Sequence, residues 1–263
     1  MFKFQREQRT FRVGDVEFGG QPGKRRAVLI CPLEENRAWT DEALSAICQE
    51  IGASGVPFAL LLCPVEVGLI HRLSGMVGIG AAPIVLDVGR DPKGLEGLAA
   101  ARELGLSDRI VCRGLGATTP EGVWEGLHHE GGKAIMLGPW MSGDSTLRDR
   151  IYSLEGGTGS MEEGLVDKAK RYGANTILVD TGGSPTGVGL RTLFVAKAKW
   201  GLPCGCDLRP YEGLARGLEP SSTALAQAAG ADFVYAGPSS TWAATARSVA
   251  LADSLLAQAA SEL

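Results

Sequence analysis

Eight short apolar runs, interleaved with stretches of helical character, constrain the fold of this chain more than any other feature. The runs lie near Ala27–Cys31, Pro57–Cys63, Pro83–Asp87, Arg109–Cys112, Lys133–Leu137, Thr176–Asp180, Pro203–Cys206 and Asp232–Ala236. Helical patterns between and after them include Asp41–Ile51, Leu95–Leu104, Gly122–His129, Met161–Tyr172, Leu190–Trp200 and Thr241–Leu263. A strand that is apolar along its whole length is one buried on both faces, as in a parallel sheet jacketed by helices. Eight such units close a barrel, and 263 residues is an ordinary length for one. The expected fold is therefore an α/β (β/α)8 TIM barrel, with residues 1–263 forming a single domain. An open doubly wound sheet is the main competitor. It would want a glycine fingerprint after the first strand, where the chain reads Cys31-Pro32-Leu33-Glu34.

Residues 1–26 read as an N-terminal hairpin ahead of the barrel. Phe2/Phe4 and Phe11/Val13 alternate, Gly14-Asp15 turns, and Val16/Phe18 alternate again before Gly19-Gly20 and Pro22-Gly23 break the pattern. Such a hairpin is suited to plug the bottom of a barrel. The 37 glycines are many, which fits numerous tight turns between strand and helix.

Charge and composition exclude several classes. A net charge of -4 without a basic block argues against nucleic acid and against an anionic membrane surface. No apolar run reaches the roughly 18 residues of a membrane helix, so no membrane insertion is expected. The opening MFKFQREQRTF has no hydrophobic signal core, which predicts a cytoplasmic protein. The six cysteines lack disulfide-framework spacing and read as reduced thiols. Without a CxxC pair no metal is expected, and small cysteines suit the barrel interior. His71, His128 and His129 fall on predicted helices, where surface positions are the plain reading.

Candidate functional residues come from the strand ends, because a parallel barrel gathers its strand C-termini around one pocket. Asp87 follows Ile84-Val85-Leu86, Arg113 follows Ile110-Val111-Cys112, Asp180 follows Ile177-Leu178-Val179, and Asp207 follows Cys204-Gly205-Cys206. One such aspartate is often only a cap for the next helix. Two after matching runs point to ligand binding. The glycine-rich stretches Thr181–Gly189 and Leu154–Ser160 offer weaker signals, as an anion cradle or as turns, with Ser160 placed to cap the next helix.

Three stretches carry a family resemblance. They are Met1-Phe2-Lys3-Phe4 through Glu7-Gln8 with Phe18–Gly23, the run Ile177–Gly205, and Gly230–Pro238 with the helix after it. Together they resemble the H subunit of tetrahydromethanopterin S-methyltransferase, a family that includes methylcorrinoid:tetrahydropterin methyltransferases. The resemblance implies a pterin-binding barrel that moves a methyl group between the cobalt of a corrinoid protein and N5 of a tetrahydropterin. Tetrahydrofolate and tetrahydromethanopterin both remain open as the pterin, and so does a homodimer. By that resemblance Asp87 and Asp180 hold the pterin's amino-pyrimidinone edge, with Arg113, Gly205 and Cys206 completing the contacts.

The chain departs from the family pattern. Cys112-Arg113-Gly114-Leu115-Gly116 replaces an NSIN-like segment, and the asparagine expected near Pro139-Trp140-Met141 is absent. The long loop that often follows the first strand is cut short. Asp207 is then assigned to N5, with Asp180 beside it in the catalytic set, and Arg113 to anchoring an acidic tail or a corrinoid side chain. A second reading is a pterin-binding or corrinoid-protein-docking subunit without catalysis of its own. A third, a dihydropteroate-synthase-like barrel enzyme, lacks a basic phosphate site at Gly237-Pro238-Ser239-Ser240.

Overall fold

The computed structural model describes residues 3–33, 39–76, 79–89, 91, 93–139, 146–156, 162–182, 186–207, 219–237 and 239–261. It begins with an antiparallel hairpin of β1 (Thr10–Val13) and β2 (Val16–Gly19). Gly14 and Asp15 form the turn, and Val13 pairs with Val16. Eight parallel strands follow: β3 (Val28–Leu33), β4 (Phe58–Leu62), β5 (Ile84–Asp87), β6 (Ile110–Leu115), β7 (Ala134–Leu137), β8 (Ile177–Asp180), β9 (Cys204–Cys206) and β10 (Phe233–Tyr235). They close in chain order, β10 pairing back onto β3 through Val234↔Leu29.

The helices are α1 (Asp41–Ala53), α2 (Val67–Gly75), α3 (Gly94–Glu103), α4 (Glu121–Glu130), α5 (Leu147–Glu155), α6 (Leu165–Arg171), α7 (Thr186–Trp200), α8 (Glu219–Ala228) and α9 (Trp242–Ser261). Among the described residues none is long and apolar enough to cross a membrane.

The pleat of each strand sorts its side chains into two cores, because successive residues point to opposite faces. Val28, Ile30, Ala59, Leu61, Val85, Val111, Ala134, Met136, Leu178, Phe233 and Tyr235 form the inner core. Their alternates, such as Leu29, Leu60, Leu86, Ile110 and Val179, pack outward with helix residues including Leu98, Trp124 and Leu193. The hairpin closes the bottom of the inner core with Val13, Val16 and Phe18. The Phe18 ring meets Phe233 edge-on at 6.2 Å. Hydrogen bonds from Gly14 N to Asp108 O and from Asp15 N to Ala81 O fix the plug beneath β6 and β5.

The structure corrects several expectations. The hairpin begins at Thr10. Phe4 lies outside it and is buried against Phe194 of α7, with ring centroids 5.3 Å apart. Cys31, Cys112, Cys204 and Cys206 do not fill the barrel lumen. They sit at outward positions, in the layer between strands and helices. Helix α6 starts at Leu165 with Gly164 as its N-cap, which leaves Ser160 without that role; Ser160 lies outside the described residues. Helix α5 falls in a stretch that the apolar pattern left unassigned. It starts with a capping box in which Thr146 and Asp149 each bond the other's backbone N–H.

Candidate functional site at the barrel mouth

The inner face of each strand, followed two residues beyond the last core side chain, leads to one cluster. Val85 is followed by Asp87, Val111 by Arg113, Leu178 by Asp180, Gly205 by Asp207, and Phe233 by Tyr235. Five strands thus deliver four charged groups and a phenol to one level at the C-terminal mouth. All five are buried: Asp87 and Asp180 are 1% exposed, Asp207 5%, Arg113 6% and Tyr235 1%. Register helps to set this level, since Asp87 pairs directly with Arg113 and Asp180 with Gly205.

Arg113 spans the mouth. Its Nη1 donates to Asp87 Oδ2 at 3.0 Å, its Nη2 to Asp180 Oδ2 at 3.1 Å, and its Nε to the same Asp180 oxygen at 3.2 Å. Nε also donates to the Tyr235 hydroxyl at 2.9 Å, and that hydroxyl donates to Asp180 Oδ2 at 2.9 Å. Asp207 Oδ2 lies 3.8 Å from Nη2. The Cys63 thiol donates to Asp87 Oδ2 at 3.5 Å, and Gly182 N to Asp180 Oδ1 at 3.0 Å. Asp87 Oδ1 is buried with no hydrogen-bond partner among the described residues. Just after Arg113 the pairing of β6 with β7 shifts register between Cys112 and Leu115, and Gly114 there adopts a φ of 84° that a side chain would resist.

The electrostatics follow from burial and crowding. Burial works against the Arg113 charge, but Tyr235 and the carboxylates of Asp180, Asp207 and Asp87 outweigh it and hold the guanidinium well above the ordinary arginine range. Burial pushes the Tyr235 phenol well above its usual value, with Asp180 and Asp207 adding to burial against the pull of Arg113. The phenol is therefore neutral, which lets it accept from Arg113 and donate to Asp180 at once. Behind the cluster Arg150, 1% exposed, donates through Nη1 to the Thr181 carbonyl at 2.6 Å and braces the segment after Asp180.

Asp87, Arg113, Asp180 and Asp207 are brought together, as their positions after apolar runs led one to expect. Cys206 is not: its alternate pleat position turns its side chain toward the helices, where burial pushes the thiol up. Gly205 faces inward but serves closure of the barrel. A Cβ there would lie 2.2 Å from the Phe233 carbonyl oxygen and 2.3 Å from its ring. The sequence reading missed Tyr235, Cys63 and Arg150. Tyr235 had a signal in the inward pleat of Phe233-Val234-Tyr235, two residues above the core. Residues 183–185 of the glycine-rich cradle and Trp140-Met141 lie outside the described residues. With Arg113 at the centre the aspartates form no cation site, and among the described residues no group of three His, Cys, Asp or Glu is placed to hold a metal. His71, His128 and His129 are exposed on α2 and α4.

Comparisons with known proteins bear on this cluster. A family model described as the tetrahydromethanopterin S-methyltransferase MtrH subunit matches residues 55–263. The H subunit of tetrahydromethanopterin S-methyltransferase from Methanothermobacter marburgensis is 27% identical over 296 residues, covering 100% of this chain and 96% of the relative. The H subunit of the mtx methyltransferase of Methanosarcina barkeri is 30% identical over 275 residues, covering 90% and 87%. Among solved structures, a Mycobacterium tuberculosis protein superposes with a TM-score of 0.58 at 18% identity, over 89% of this chain and 93% of its own. A monomeric dihydrodipicolinate synthase variant does so with a TM-score of 0.54 at 17% identity, over 90% and 77%. At such identities the structural likeness shows the fold alone.

Proposed function

Because the chain belongs to the family of the tetrahydromethanopterin S-methyltransferase H subunit, we propose that it moves a methyl group between a methylated corrinoid protein and N5 of a tetrahydropterin bound at the barrel mouth. The observation that carries this reading is the meeting of Asp87, Asp180 and Asp207 around a planar guanidinium. The pyrimidinone edge of a pterin contains the same fragment, an amino group and a ring N–H on one carbon. Carboxylates that hold one planar N–H fork suit the other.

In this reading Asp87 and Asp180 accept hydrogen bonds from the pterin edge, each charge-assisted bond contributing roughly 1.5–3 kcal/mol. Asp207 stands at the rim of the cluster and handles the proton at N5. When N5 takes the methyl group, its lone pair forms the new N–C bond, the C–Co bond breaks with its electron pair left on cobalt, and the N5 proton passes to Asp207 or to water. In reverse, the same carboxyl returns the proton as the methyl group leaves. Such a displacement depends mainly on alignment, which is worth up to roughly 7–11 kcal/mol when the partners are held in line. The corrinoid arrives on a partner protein that docks over the open mouth. The absence of disulfides among the six cysteines suits a cytoplasmic setting.

Turnover tests the reading: methylcobalamin and tetrahydrofolate or tetrahydromethanopterin are mixed with the chain, and loss of the methyl-cobalt absorbance is followed. Transfer is expected, and Asp207→Ala should slow it about 10²-fold with little change in pterin affinity, since that contact strengthens only in the transition state. Full turnover by Asp207→Ala sinks the N5 assignment. A second reading, a docking subunit without catalysis, is favoured by the arginine already seated between the aspartates. It predicts pterin binding without turnover, whereas neither binding nor turnover would sink both.

A further inference from the structure

The cluster at the mouth is satisfied on its own terms only in part. Arg113 uses one oxygen of each main partner: Asp180 Oδ2 accepts Nε, Nη2 and the Tyr235 hydroxyl, while Asp87 Oδ2 accepts Nη1 and the Cys63 thiol. The paired fork that a guanidinium makes with both oxygens of one carboxylate is formed with neither. Asp87 Oδ1 is left buried without a hydrogen-bond partner among the described residues. Three carboxylates thus face one directly contacting guanidinium, an excess of acceptors that a donor-rich ligand is able to use. The backbone agrees with a side chain that changes place. At Arg113 the ladder to β7 is interrupted by the bulge, so that side of its strand does not clamp it in regular pairing.

We propose that Arg113 is an internal occupant of the ligand site, seated where a planar amidine-like edge belongs, so that the residue at position 113 sets the affinity of the mouth for its ligand. The inference rests on the pterin reading above and adds a rule of exclusion to it. The guanidinium and the ligand edge need the same oxygens of Asp87 and Asp180, so one must leave before the other is seated. An aspartate cluster with a neutral, shorter side chain at 113 would have no such competitor. Binding in the present chain is thereby weakened by the fraction of molecules in which Arg113 is seated. Arg113 acts here as a specificity-determining and positioning residue, without touching the reacting atoms.

The test uses the full chain, Arg113→Ala and Arg113→Lys, the lysine variant keeping the charge and the fold should the alanine variant fail to fold. Thermal unfolding and calorimetry are run with two probes, guanidinium chloride at low millimolar concentration and a tetrahydropterin (tetrahydrofolate and tetrahydromethanopterin in turn). Guanidinium is expected to stabilise Arg113→Ala saturably and the wild-type chain not at all. The tetrahydropterin is expected to bind both variants about tenfold or more tighter than wild type. Should a folded Arg113→Ala show no saturable response to guanidinium, Arg113 does not occupy a guanidine-shaped site and the inference falls, even if wild type binds the pterin. Unchanged or weaker pterin binding in both variants overturns it equally. If guanidinium rescues Arg113→Ala but no protein binds either pterin, the internal-occupant geometry survives and the pterin reading is what fails.

Discussion

At the bottom of the barrel one lysine meets one aspartate. Lys197 Nζ lies 2.6 Å from both oxygens of Asp232 and also donates to the Gly20 carbonyl at 3.2 Å, and Cys204 N donates to Asp232 Oδ2 at 2.8 Å. Lys197 is fully buried, and the Phe4 ring stands over its ammonium at 5.5 Å. At the mouth one arginine meets three aspartates and a phenol, and one buried carboxylate oxygen is left over. Both clusters are buried, yet one balances its charges and ties α7, β9, β10 and the segment after the hairpin, while the other carries acceptors to spare. The difference separates a fastening from a receptor. A fold gains from closing its charges, whereas a ligand site must leave something for the ligand to close.

The comparison breaks most readily at the bottom. Lys197→Met should cost about 3–5 kcal/mol in urea unfolding, because it strands a buried carboxylate that burial already pushes up in pKa. Adding Asp232→Leu should return most of that loss, since a buried pair is often replaceable by apolar packing. Arg113→Met should cost less, about 1–3 kcal/mol, because Asp180 and Asp87 keep the Tyr235, Gly182 and Cys63 donors. A mouth variant costlier than the bottom one would mean that the arginine is a fastening too.

The smallest effect sharpens the same contrast near the bottom. Asp253 accepts from Ala27 N at 3.1 Å and from Gln227 Nε2 at 2.9 Å, and burial raises its carboxyl from 3.8 to about 6. The folded state therefore holds this proton more tightly than the unfolded chain. Stability from it is complete below 3.8 and is lost as pH rises to about 6. Asp253→Asn should abolish that slope and gain about 1 kcal/mol at pH 8, a discounted figure because the side chain is partly exposed. Urea melts at pH 4, 6 and 8 check it, and an unchanged slope would contradict the assignment.

What could be read from the sequence, and what could not, divides along physical lines. The eight strands were legible because burial on both faces forces continuous apolar runs, and Asp87 and Asp180 because a charge ending such a run is conspicuous. Helix α5 was hidden by its own site chemistry: Arg148-Asp149-Arg150 blurs the apolar stripe, though Arg150 is buried. Its capping box, Thr146 with Asp149, was the better signal. The misplacement of the cysteines has a simple cause, since counting the pleat back from an inward Asp207 turns Cys206 outward. The partners of Arg113 were beyond reach. They stand 26, 67 and 122 residues away in sequence, and only closure of the barrel brings them together.

The account stands or falls on what the mouth carboxylates hold, and a crystal structure of the chain with a tetrahydropterin at saturating concentration tests that most directly. The predicted result has the pterin's amino group and ring N–H about 3 Å from oxygens of Asp87 and Asp180, with the Arg113 guanidinium displaced from between them. A pterin seated elsewhere, or one at the mouth with Arg113 still bridging both aspartates, would contradict it.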